Sequence, residues 1–447
     1  MSLTKATYSM IEGAPANVLD FGADPTGTTD CSSAFTAAFA SSKYVYVPAG
    51  TYKAAFEMPN YGRLIGEGIL VTQIIPPTGA TAVITIDSTV STTKSWINIE
   101  NMRIYNPNSV ANCVGIFFKG TDVTTIMDYP RFNRVEVSYF DIGIKIVGRM
   151  IGAYWTHVNC LYNRIGMKVN TDTASVAFIL NTFVECYWND SIEEGLRIET
   201  WNLMTKFISC NWQYNNTGDV ADVAESYFGA NNQLLSFDKC YWESTAAVAV
   251  DTVNPSNNSI SCRVVGAGLT TSPSFDGCYF AGSGCNLLID AAVLFGGHIK
   301  ESGMSCEAGG FNIVVATEVN QSELQDQFCV DHSNVFNGQI SLKAPLGDQF
   351  AAYIEQQKGI FYGGNPASID LMRFSRFVIS TAVGVTIPTP SNIIPGCQLY
   401  INVIGGGTVT VPASIMDTAV NEVVASGTNK TFMAMPFPNI GKFAVVS

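Results

Sequence analysis

The stretch Phe183-Val184-Glu185-Cys186-Tyr187-Trp188 is one of three near copies that decide the fold of this chain. The other two are Phe207-Ile208-Ser209-Cys210-Asn211-Trp212 and Phe237-Asp238-Lys239-Cys240-Tyr241-Trp242. Related segments begin at Phe132, Trp155 and Phe275, so the six segments start 23, 28, 24, 30 and 38 residues apart. Short apolar strands that recur at this spacing, with variable loops between them, predict a solenoid whose coils each contain three short strands.

The composition also favours a β-rich protein. Only 14% of the 447 residues are charged, 11% are aromatic and 39 are glycines, whereas exposed helices usually carry many charged side chains. A second apolar strand follows several of the repeated segments, at residues 142–146, 165–169 and 195–198. We therefore predict an all-β fold made of stacked parallel coils.

Strand alternation assigns the faces of the repeated segment, whose residues we number one to eight from the leading aromatic residue. Positions four and six are apolar in every copy and are predicted to point inward as ladders. Position four is Val135, Val158, Cys186, Cys210, Cys240 and Cys278, and position six is Val137, Cys160, Trp188, Trp212, Trp242 and Phe280. The ladder cysteines are thus predicted to be small buried side chains rather than disulfide or redox groups.

The charge and the remaining motifs argue against nucleic-acid binding, a membrane span and a metal site. The net charge of −13 repels nucleic-acid phosphates, and no cluster of Lys and Arg offsets it. No uninterrupted apolar stretch of about 18 residues occurs, and the first residues lack the apolar core of a secretion signal. With no Cys-x-x-Cys pair and three histidines, neither a metal site nor a cofactor is predicted.

The N-terminal region carries a family resemblance. Residues 20–23, Gly27, Asp30, Val47-Pro48-Ala49-Gly50-Thr51-Tyr52 and residues 65–68 resemble the opening of the pectate-lyase-like β-helix superfamily. Residues 8–13, just before that motif, resemble the entry of phage tailspikes and capsular polysaccharide depolymerases. The resemblance implies a right-handed parallel β-helix whose first coil is capped by a strand and a helix. It therefore implies structural rather than catalytic roles for Asp20, Asp24 and Asp30. Independently of the resemblance, Asp30 precedes the short helical pattern of residues 34–39 at the place of an N-cap.

The sequence divides into five predicted regions. Residues 1–16 form an N-terminal stub, residues 17–70 the capping region, and residues 71–320 the β-helix. Residues 321–372 are a transition rich in Pro and Gly, and residues 373–447 are predicted to form an antiparallel, sandwich-like C-terminal β module. The resemblance implies that this module serves trimerisation or carbohydrate binding.

The outward positions three, five and seven of the repeat carry polar and aromatic side chains that suit a glycan groove. Aromatic rings cover the C–H faces of sugars, while amides and charges bind hydroxyl groups. An ordinary solvated sheet face is the alternative. The candidate substrate-binding residues are Arg134, His157, Tyr187, Asn211, Gln213, Tyr241 and Tyr279.

Two kinds of cleavage chemistry fit such a groove. Hydrolysis needs two carboxyl groups, for which Glu185 and Glu243 are the preferred pair, with Asp238, Asp190 and Asp276 in reserve. Their spacing of two coils predicts an inverting reaction. Elimination would instead use Lys239 or Arg134 to neutralise a uronate, and Tyr241 or His157 to move protons.

The sequence thus predicts a phage tailspike that binds and depolymerises a bacterial surface polysaccharide, with hydrolysis favoured over elimination. A non-catalytic receptor-binding fibre is the main alternative, and a secreted pectinase-like enzyme is a third reading. The predicted partners are the polysaccharide, two further copies of the chain in a homotrimer, and another phage tail protein. The predicted location is the virion tail, acting at the host cell surface.

Overall fold

A computed structural model describes residues 13–89, 93–108, 110–120, 125–170, 177–199, 201–218, 223–229, 232–244, 258–266, 273–291 and 298–315. Beyond residue 328 it describes the strands given below and position 416. The architecture in these parts is a right-handed parallel β-helix, as the sequence predicts.

The first coil is capped by a short helical segment. Its elements are β1 (Ala16–Asn17), a 3-10 helix (Val18–Phe21), β2 (Thr26–Asp30), α1 (Ser32–Ser41) and β3 (Tyr44–Val47). Helix α1 buries Ala34, Phe35, Ala38 and Phe39, and the Phe35 ring stacks on Phe56 at 4.5 Å. In the described part of the chain, no helix is both long and apolar enough to cross a membrane.

The acidic residues of the cap have structural partners. Asp24 accepts hydrogen bonds from the backbone N–H groups of Thr26 and Thr29 and from two threonine hydroxyls, which lower the pKa of Asp24. The N-cap of α1 is Cys31 rather than the predicted Asp30. Asp30 still accepts from the backbone N–H of Ser32 at 2.9 Å, because its side chain reaches the first turn from one residue earlier.

The coils are formed by short strands. They are β4 (Gly50–Lys53), β5 (Phe56–Glu57), β6 (Arg63–Gly66), β7 (Thr72–Ile75), β8 (Ala82–Asp87), β9 (Thr93–Ser95), β10 (Asn98–Tyr105), β11 (Val114–Lys119), β12 (Ile126–Asp128), β13 (Arg131–Ser138), β14 (Ile142–Val147), β15 (Arg149–Ile151), β16 (Tyr154–Leu161), β17 (Ile165–Asn170), β18 (Ala177–Ile179), β19 (Thr182–Val184), β20 (Tyr187–Asn189), β21 (Leu196–Ile198), β22 (Trp201–Leu203), β23 (Lys206–Ile208), β24 (Asn211–Gln213), β25 (Ala224–Phe228), β26 (Asn232–Gln233), β27 (Leu235–Asp238), β28 (Tyr241–Glu243), β29 (Ile260–Gly266), β30 (Pro273–Asp276), β31 (Tyr279–Ala291), β32 (His298–Lys300), β33 (Gly303–Val315), β34 (Cys329–Val330), β35 (Val335–Asn337) and β36 (Gln339–Leu342).

The coils present three faces to solvent. The first contains the repeated segments, from β10, β13 and β16 to β31. The second contains β8, β11, β14, β17, β21, β25 and β29, and the third contains β9, β12, β15, β18, β22 and β26. Every pairing within these faces is parallel, and each joins a strand to its equivalent one coil on.

The registers confirm the predicted repeat residue by residue. Phe132 pairs with Trp155, Trp155 with Phe183, and the series continues through Phe207 and Phe237 to Phe275. The coil lengths are therefore the sequence spacings of the repeat.

A left-handed backbone conformation recurs at position three of the repeat. Its residues all have φ between 51° and 61°: Arg134, His157, Glu185, Ser209, Lys239 and Gly277. This conformation divides most of the repeated segments into two strands and reverses the alternation of side chains between them. Position one is therefore buried together with positions four and six, which simple alternation does not predict.

The core consists of stacked side-chain ladders, as predicted for positions four and six. Trp188, Trp212 and Trp242 stack with ring centroids 5.0 and 4.7 Å apart, and Phe280 continues the ladder at 4.3 Å. A parallel ladder at position one includes Phe183, Phe207, Phe237 and Phe275. Stacked aromatic pairs contribute about 0.5–1.5 kcal/mol each beyond the apolar area that they bury.

The ladder cysteines are buried, reduced side chains, as predicted from their positions. The thiols of Cys186, Cys210, Cys240 and Cys278 each donate to a backbone carbonyl of the preceding coil, at 3.4–3.5 Å. They fill space beside the tryptophan ladder.

The strands after residue 320 include further parallel pairs. β34, β35 and β36 pair in parallel with β32 and β33, so parallel coil pairing extends past the predicted end of the solenoid. The last strands are β37 (Ile360–Gly363), β38 (Arg376–Ser380), β39 (Val385–Thr386), β40 (Gln398–Ile404), β41 (Thr408–Val411), β42 (Glu422–Ala425), β43 (Asn429–Ala434) and β44 (Phe443–Val445).

Pairing in this last region is mixed rather than antiparallel throughout. β37, β38 and β40 pair in parallel, as do β39 and β41, whereas β40–β43, β43–β44 and β41–β42 are antiparallel. Arg376 pairs with Tyr400 and Val385 with Val409, a spacing of one coil in both cases. Apolar strands one coil length apart can pair as a solenoid does, and the sequence pattern of strands and turns does not distinguish this from a sandwich.

Candidate active site

The outward side chains at positions five and seven form a continuous face on β20, β24, β28 and β31. Tyr187, Asn211, Tyr241 and Tyr279 are in register at position five. The rings of Tyr241 and Tyr279 are stacked, with centroids 5.7 Å apart and planes within 5°. Four predicted substrate-binding residues thus occupy neighbouring positions along the rod.

Glu243, at position seven, is the centre of a hydrogen-bond cluster on this face. Its Oε2 accepts from Gln213 Nε2 at 2.8 Å and from the Tyr241 hydroxyl at 2.9 Å. Burial and, to a smaller extent, the hydrogen bond to Glu243 raise the pKa of Tyr241 to about 12. Tyr241 is therefore a hydrogen-bond donor that orients the Glu243 carboxylate, and it is poorly suited to act as a base at neutral pH.

A row of exposed tyrosines lies beside this face at position eight, which the sequence analysis did not consider. Tyr139, Tyr162 and Tyr214 occupy it with positive φ, and Asp190 takes the place between Tyr162 and Tyr214. The Tyr139 and Tyr162 rings stack at 5.0 Å. We call these four residues the tyrosine stripe. The sequence carries a tyrosine two residues beyond position six in three of the six copies.

Asp190 and Glu243 lie on either side of Tyr214. The backbone N–H of Asp190 donates to Gln213 one coil on, and that of Tyr214 donates to Glu243 in the following coil. The charge of Glu243 raises the pKa of Tyr214, and Asp190 adds to the effect. Two coil steps of ~4.8 Å and one residue along the strand place the two Cα atoms about 10 Å apart.

The environments of these two carboxyl groups differ. Burial raises the pKa of Asp190, which favours its protonated form. Glu243 instead faces the donors Gln213 and Tyr241. Two carboxyl groups in different surroundings on the same face are what acid–base cleavage of a glycosidic bond requires.

The predicted pair Glu185 and Glu243 is not brought together. Glu185 is at position three and Glu243 is at position seven two coils on, which separates their Cα atoms by about 15 Å. Each side chain also contacts a residue of the preceding coil. Glu185 lies 2.5 Å from His157 Nε2, and Glu243 accepts a hydrogen bond from Gln213. Their separation exceeds the range of about 6.5–9.5 Å between carboxyl groups in inverting enzymes.

The other predicted catalytic residues lie across the position-three corner from Glu243. Asp238 is at position two and pairs with Asp276, and Lys239 and Arg134 occupy the exposed corner itself. His157 and Glu185 form a half-exposed pair at that corner. The corner and the tyrosine stripe are therefore separate parts of the surface, because four residues lie between them along each coil.

The face continues toward the N-terminus. Arg103 lies 4.0 Å from the centre of the Tyr105 ring and 2.6 Å from Glu136, and Tyr105 meets Tyr139 edge to face. From Tyr105 on β10 to Tyr279 on β31 there are six coil steps, or about 29 Å at ~4.8 Å each. This length suits an extended chain rather than a small ligand.

A buried carboxyl group stands close to Glu243. Glu225 is 1% exposed, and its equivalents in preceding coils are Gly143, Gly166 and Gly195. Burial raises the pKa of Glu225 well above its usual range, and the charge of Glu243 raises it further. Within the described residues, no group of three or more His, Cys, Asp or Glu side chains is placed to hold a metal ion.

Comparison with known proteins agrees with this architecture. Residues 16–124 match the family model described as rhamnogalacturonase A/epimerase, pectate lyase-like. ORF18 of Geobacillus virus E2 has a similar structure, with a TM-score of 0.55 and 15% identity over 97% of this chain and 75% of that one. No curated protein sequence matches the chain.

Two further solved structures are similar at lower scores. The A-module of the Azotobacter vinelandii mannuronan C-5 epimerase AlgE4 has a TM-score of 0.47 and 14% identity, over 76% of this chain and all of that module. Tailspike protein 2 from Escherichia coli O157:H7 bacteriophage CAB120 has a TM-score of 0.46 and 12% identity, over 78% of this chain and 42% of that one. The family match thus covers the capping region and the first coils, and the similarity to ORF18 shows that the two proteins share a fold.

Proposed function

We propose that this chain is a phage tailspike that binds a bacterial surface polysaccharide along the tyrosine stripe and hydrolyses it between Asp190 and Glu243. The observation that carries the proposal is the placement of these two carboxyl groups on either side of Tyr214, in a row of exposed aromatic rings. The tailspike-like opening motif and the fold shared with a viral protein support the phage setting, at the virion tail and the host surface.

In this proposal Asp190 is the general acid. Burial raises the pKa of Asp190 in the direction that a general acid needs, and Asp190 donates its proton to the oxygen of the scissile glycosidic bond. Glu243 is the general base and takes a proton from the water that attacks the anomeric carbon. The distance of about 10 Å between the Cα atoms leaves room for that water, so we expect inversion of configuration.

The surroundings of the site favour hydrolysis over elimination. Lyase chemistry needs a cation to neutralise a uronate carboxyl, and the candidates Lys239 and Arg134 lie at the position-three corner. Arg103, toward the N-terminal end of the same face, is paired with Glu136. The net charge of −13 adds repulsion, so we propose a neutral or weakly charged glycan.

The proposal is tested by incubating the protein with purified capsule or O-antigen from a host strain. We expect new reducing ends, inverted product anomers in NMR spectra, and no ultraviolet band of an unsaturated uronate. Glu243→Gln and Asp190→Asn should each lower turnover by about 10²–10⁴-fold. Glu185→Gln is the matched control, because Glu185 is an exposed carboxylate of the same face of the β-helix, and it should retain turnover.

The other outcomes distinguish the alternatives. Loss of turnover in Glu185→Gln with retention in Asp190→Asn would restore the pair predicted from the sequence. An unsaturated product would identify a lyase. Binding to the glycan without any product would identify a receptor-binding fibre. We further propose that the chain acts as a homotrimer and attaches to another tail protein.

A further inference from the structure

A column of exposed aromatic rings lies at the corner that precedes the first face, at the opposite edge of that face from the tyrosine stripe. Tyr61, Trp96 and Tyr129 occupy this corner in three successive coils, each three residues before position one of its coil. The backbone N–H of Tyr61 donates to Ser95, and that of Trp96 donates to Asp128, so the corners are stacked directly. The three aromatic residues are 58%, 52% and 45% exposed. We call them the aromatic corner.

The backbone at this corner does not require aromatic residues. Tyr61, Trp96 and Tyr129 have φ between 53° and 61°, and Gly152 and Leu180 occupy the same corner in the next two coils with φ of 64° and 57°. The corner therefore keeps its conformation whichever residue is present. Because about half of each ring is open to solvent, burial in the core does not explain the rings either. Neighbouring exposed rings of this kind indicate a surface that binds another molecule.

The rings are held in place by contacts within the corner. Trp96 and Tyr129 stack with their centroids 5.3 Å apart and their planes 27° from parallel. Tyr129 lies against Gly152 of the next coil, where a Cβ atom would come within 2.6 Å of two carbons of its ring. The guanidinium of Arg131 lies 5.8 Å from the centre of the Trp96 ring. A surface whose side chains are already ordered loses less conformational entropy when a ligand binds.

The groups around the rings suit a saccharide. Aromatic rings cover the C–H faces of sugars, and the sugar hydroxyl groups need hydrogen-bond donors and acceptors beside the rings. Arg131 is exposed and supplies donors, and Asp128, an outward residue of β12 just before Tyr129, supplies an acceptor. A purely apolar partner would instead bury both charged groups without hydrogen bonds, which is costly. From Tyr61 to Tyr129 there are two coil steps, or about 10 Å at ~4.8 Å each, which fits a short segment of a sugar chain.

The aromatic corner and the tyrosine stripe are too far apart to contact the same sugar ring. Tyr129 and Tyr139 belong to one coil and are ten residues apart, with the position-three corner at Arg134 between them. Ten residues of strand span up to about 33 Å along the surface.

We infer that the aromatic corner is a second, non-catalytic binding site for a saccharide. Two separate sites on one chain can hold the same polysaccharide, and binding at one site raises the effective concentration of the polymer at the other. The inference does not depend on hydrolysis by Asp190 and Glu243.

Acrylamide quenching of tryptophan fluorescence tests this site, with purified capsule or O-antigen from a host strain as the ligand. Four of the six tryptophans are fully buried, whereas Trp96 and Trp201 are exposed. Trp201→Phe therefore leaves Trp96 as the exposed tryptophan, and Glu243→Gln in the same chain is added to keep the polymer intact. We expect saturating polysaccharide to lower the quenching constant by about 2-fold or more, because a sugar ring covers the Trp96 face. An unchanged quenching constant would overturn the inference. If the polymer is still shortened, the proposed role of Glu243 fails, while the quenching result still tests the corner.

Removal of the rings gives the second measurement. Trp96→Leu/Tyr129→Leu should weaken polysaccharide binding by about 10-fold in calorimetry, because two stacking faces are lost while the corner keeps a residue type that it already carries at Leu180. Leu180→Ala is the matched control at the same corner, and its affinity should not change. If the double variant does not give the far-ultraviolet circular dichroism of the unmodified protein, Arg131→Gln replaces it and should weaken binding by about 3–5-fold. An affinity equal to that of the unmodified protein, in whichever variant is used, would contradict the inference.

Discussion

Replacing one tryptophan of the core ladder tests the stacking of the coils. The Trp212 side chain is fully buried and stacks on Trp188 at 5.0 Å and on Trp242 at 4.7 Å. Trp212→Ala removes both contacts and leaves a cavity between two coils. Large-to-small changes of this kind cost about 3–5 kcal/mol, and the loss of two stacked contacts favours the upper end of that range.

The matched variant is Tyr214→Ala, two residues along the same coil. Tyr214 is exposed at the surface, so its replacement should cost less than about 1 kcal/mol. Trp212→Phe keeps a stacked ring and should fall between the two.

Guanidinium unfolding followed by fluorescence and circular dichroism measures these differences. Where refolding is incomplete, the unfolding rate at one denaturant concentration replaces the equilibrium value. A loss of 4 kcal/mol that acts mainly on unfolding corresponds to a rate increase of about 10³-fold. Similar losses in Trp212→Ala and Tyr214→Ala, within about 1 kcal/mol, would refute the stacked-ladder account.

Three further predictions concern the corners, the buried acid and the stripe. Ser209→Gly should raise the free energy of unfolding by about 1 kcal/mol, because Ser209 has a φ of 52°. Gly277→Ala should lower it by about 1–2 kcal/mol, because Gly277 also has a positive φ. Denaturant midpoints measure both changes, and a change of the same sign in the two variants would contradict the left-handed corner. Glu225 has a raised pKa in the folded state, so ionisation opposes folding, and stability should fall as the pH rises above the unfolded pKa of about 4.3. Glu225→Gln should flatten that fall between pH 4.5 and 8 in thermal unfolding, and parallel curves for the two proteins would count against it. Tyr162→Ala should weaken polysaccharide binding by about 5–30-fold in calorimetry with Leu70→Ala as the control, and equal affinities would exclude the stripe as the binding surface.

Much of the solenoid could be predicted because the residues that repeat in the sequence are the ones that are buried. The Cys210 and Trp212 ladders follow from alternation alone, and the spacing of Phe207 and Phe237 is the observed register. The burial of position one could not be derived in this way, because it depends on the left-handed conformation of position three. That conformation is not specified by residue type, since Glu185 and Lys239 adopt it as Gly277 does.

The candidate site was only partly predictable for the same reason. Tyr241, Gln213 and Glu243 fall on one strand face, so alternation places them together. The sequence predicts that Glu185 and Glu243 lie two coils and a sideways shift apart, but alternation alone does not give the size of that shift, which is four residues along the strand. The role that we propose for Asp190 depends on its neighbours Tyr162 and Tyr214 at the next corner, and contacts between coils at a corner cannot be read from the sequence.

The most direct test of the central claim is the structure of Glu243→Gln with an oligosaccharide of the host polysaccharide bound. We predict that the sugar chain runs parallel to the rod axis over Tyr162, Tyr214 and Tyr279, with one glycosidic oxygen within hydrogen-bond distance of Asp190. A sugar chain bound at the corner of His157 and Glu185, or one that crosses the stripe without approaching Asp190, would contradict it.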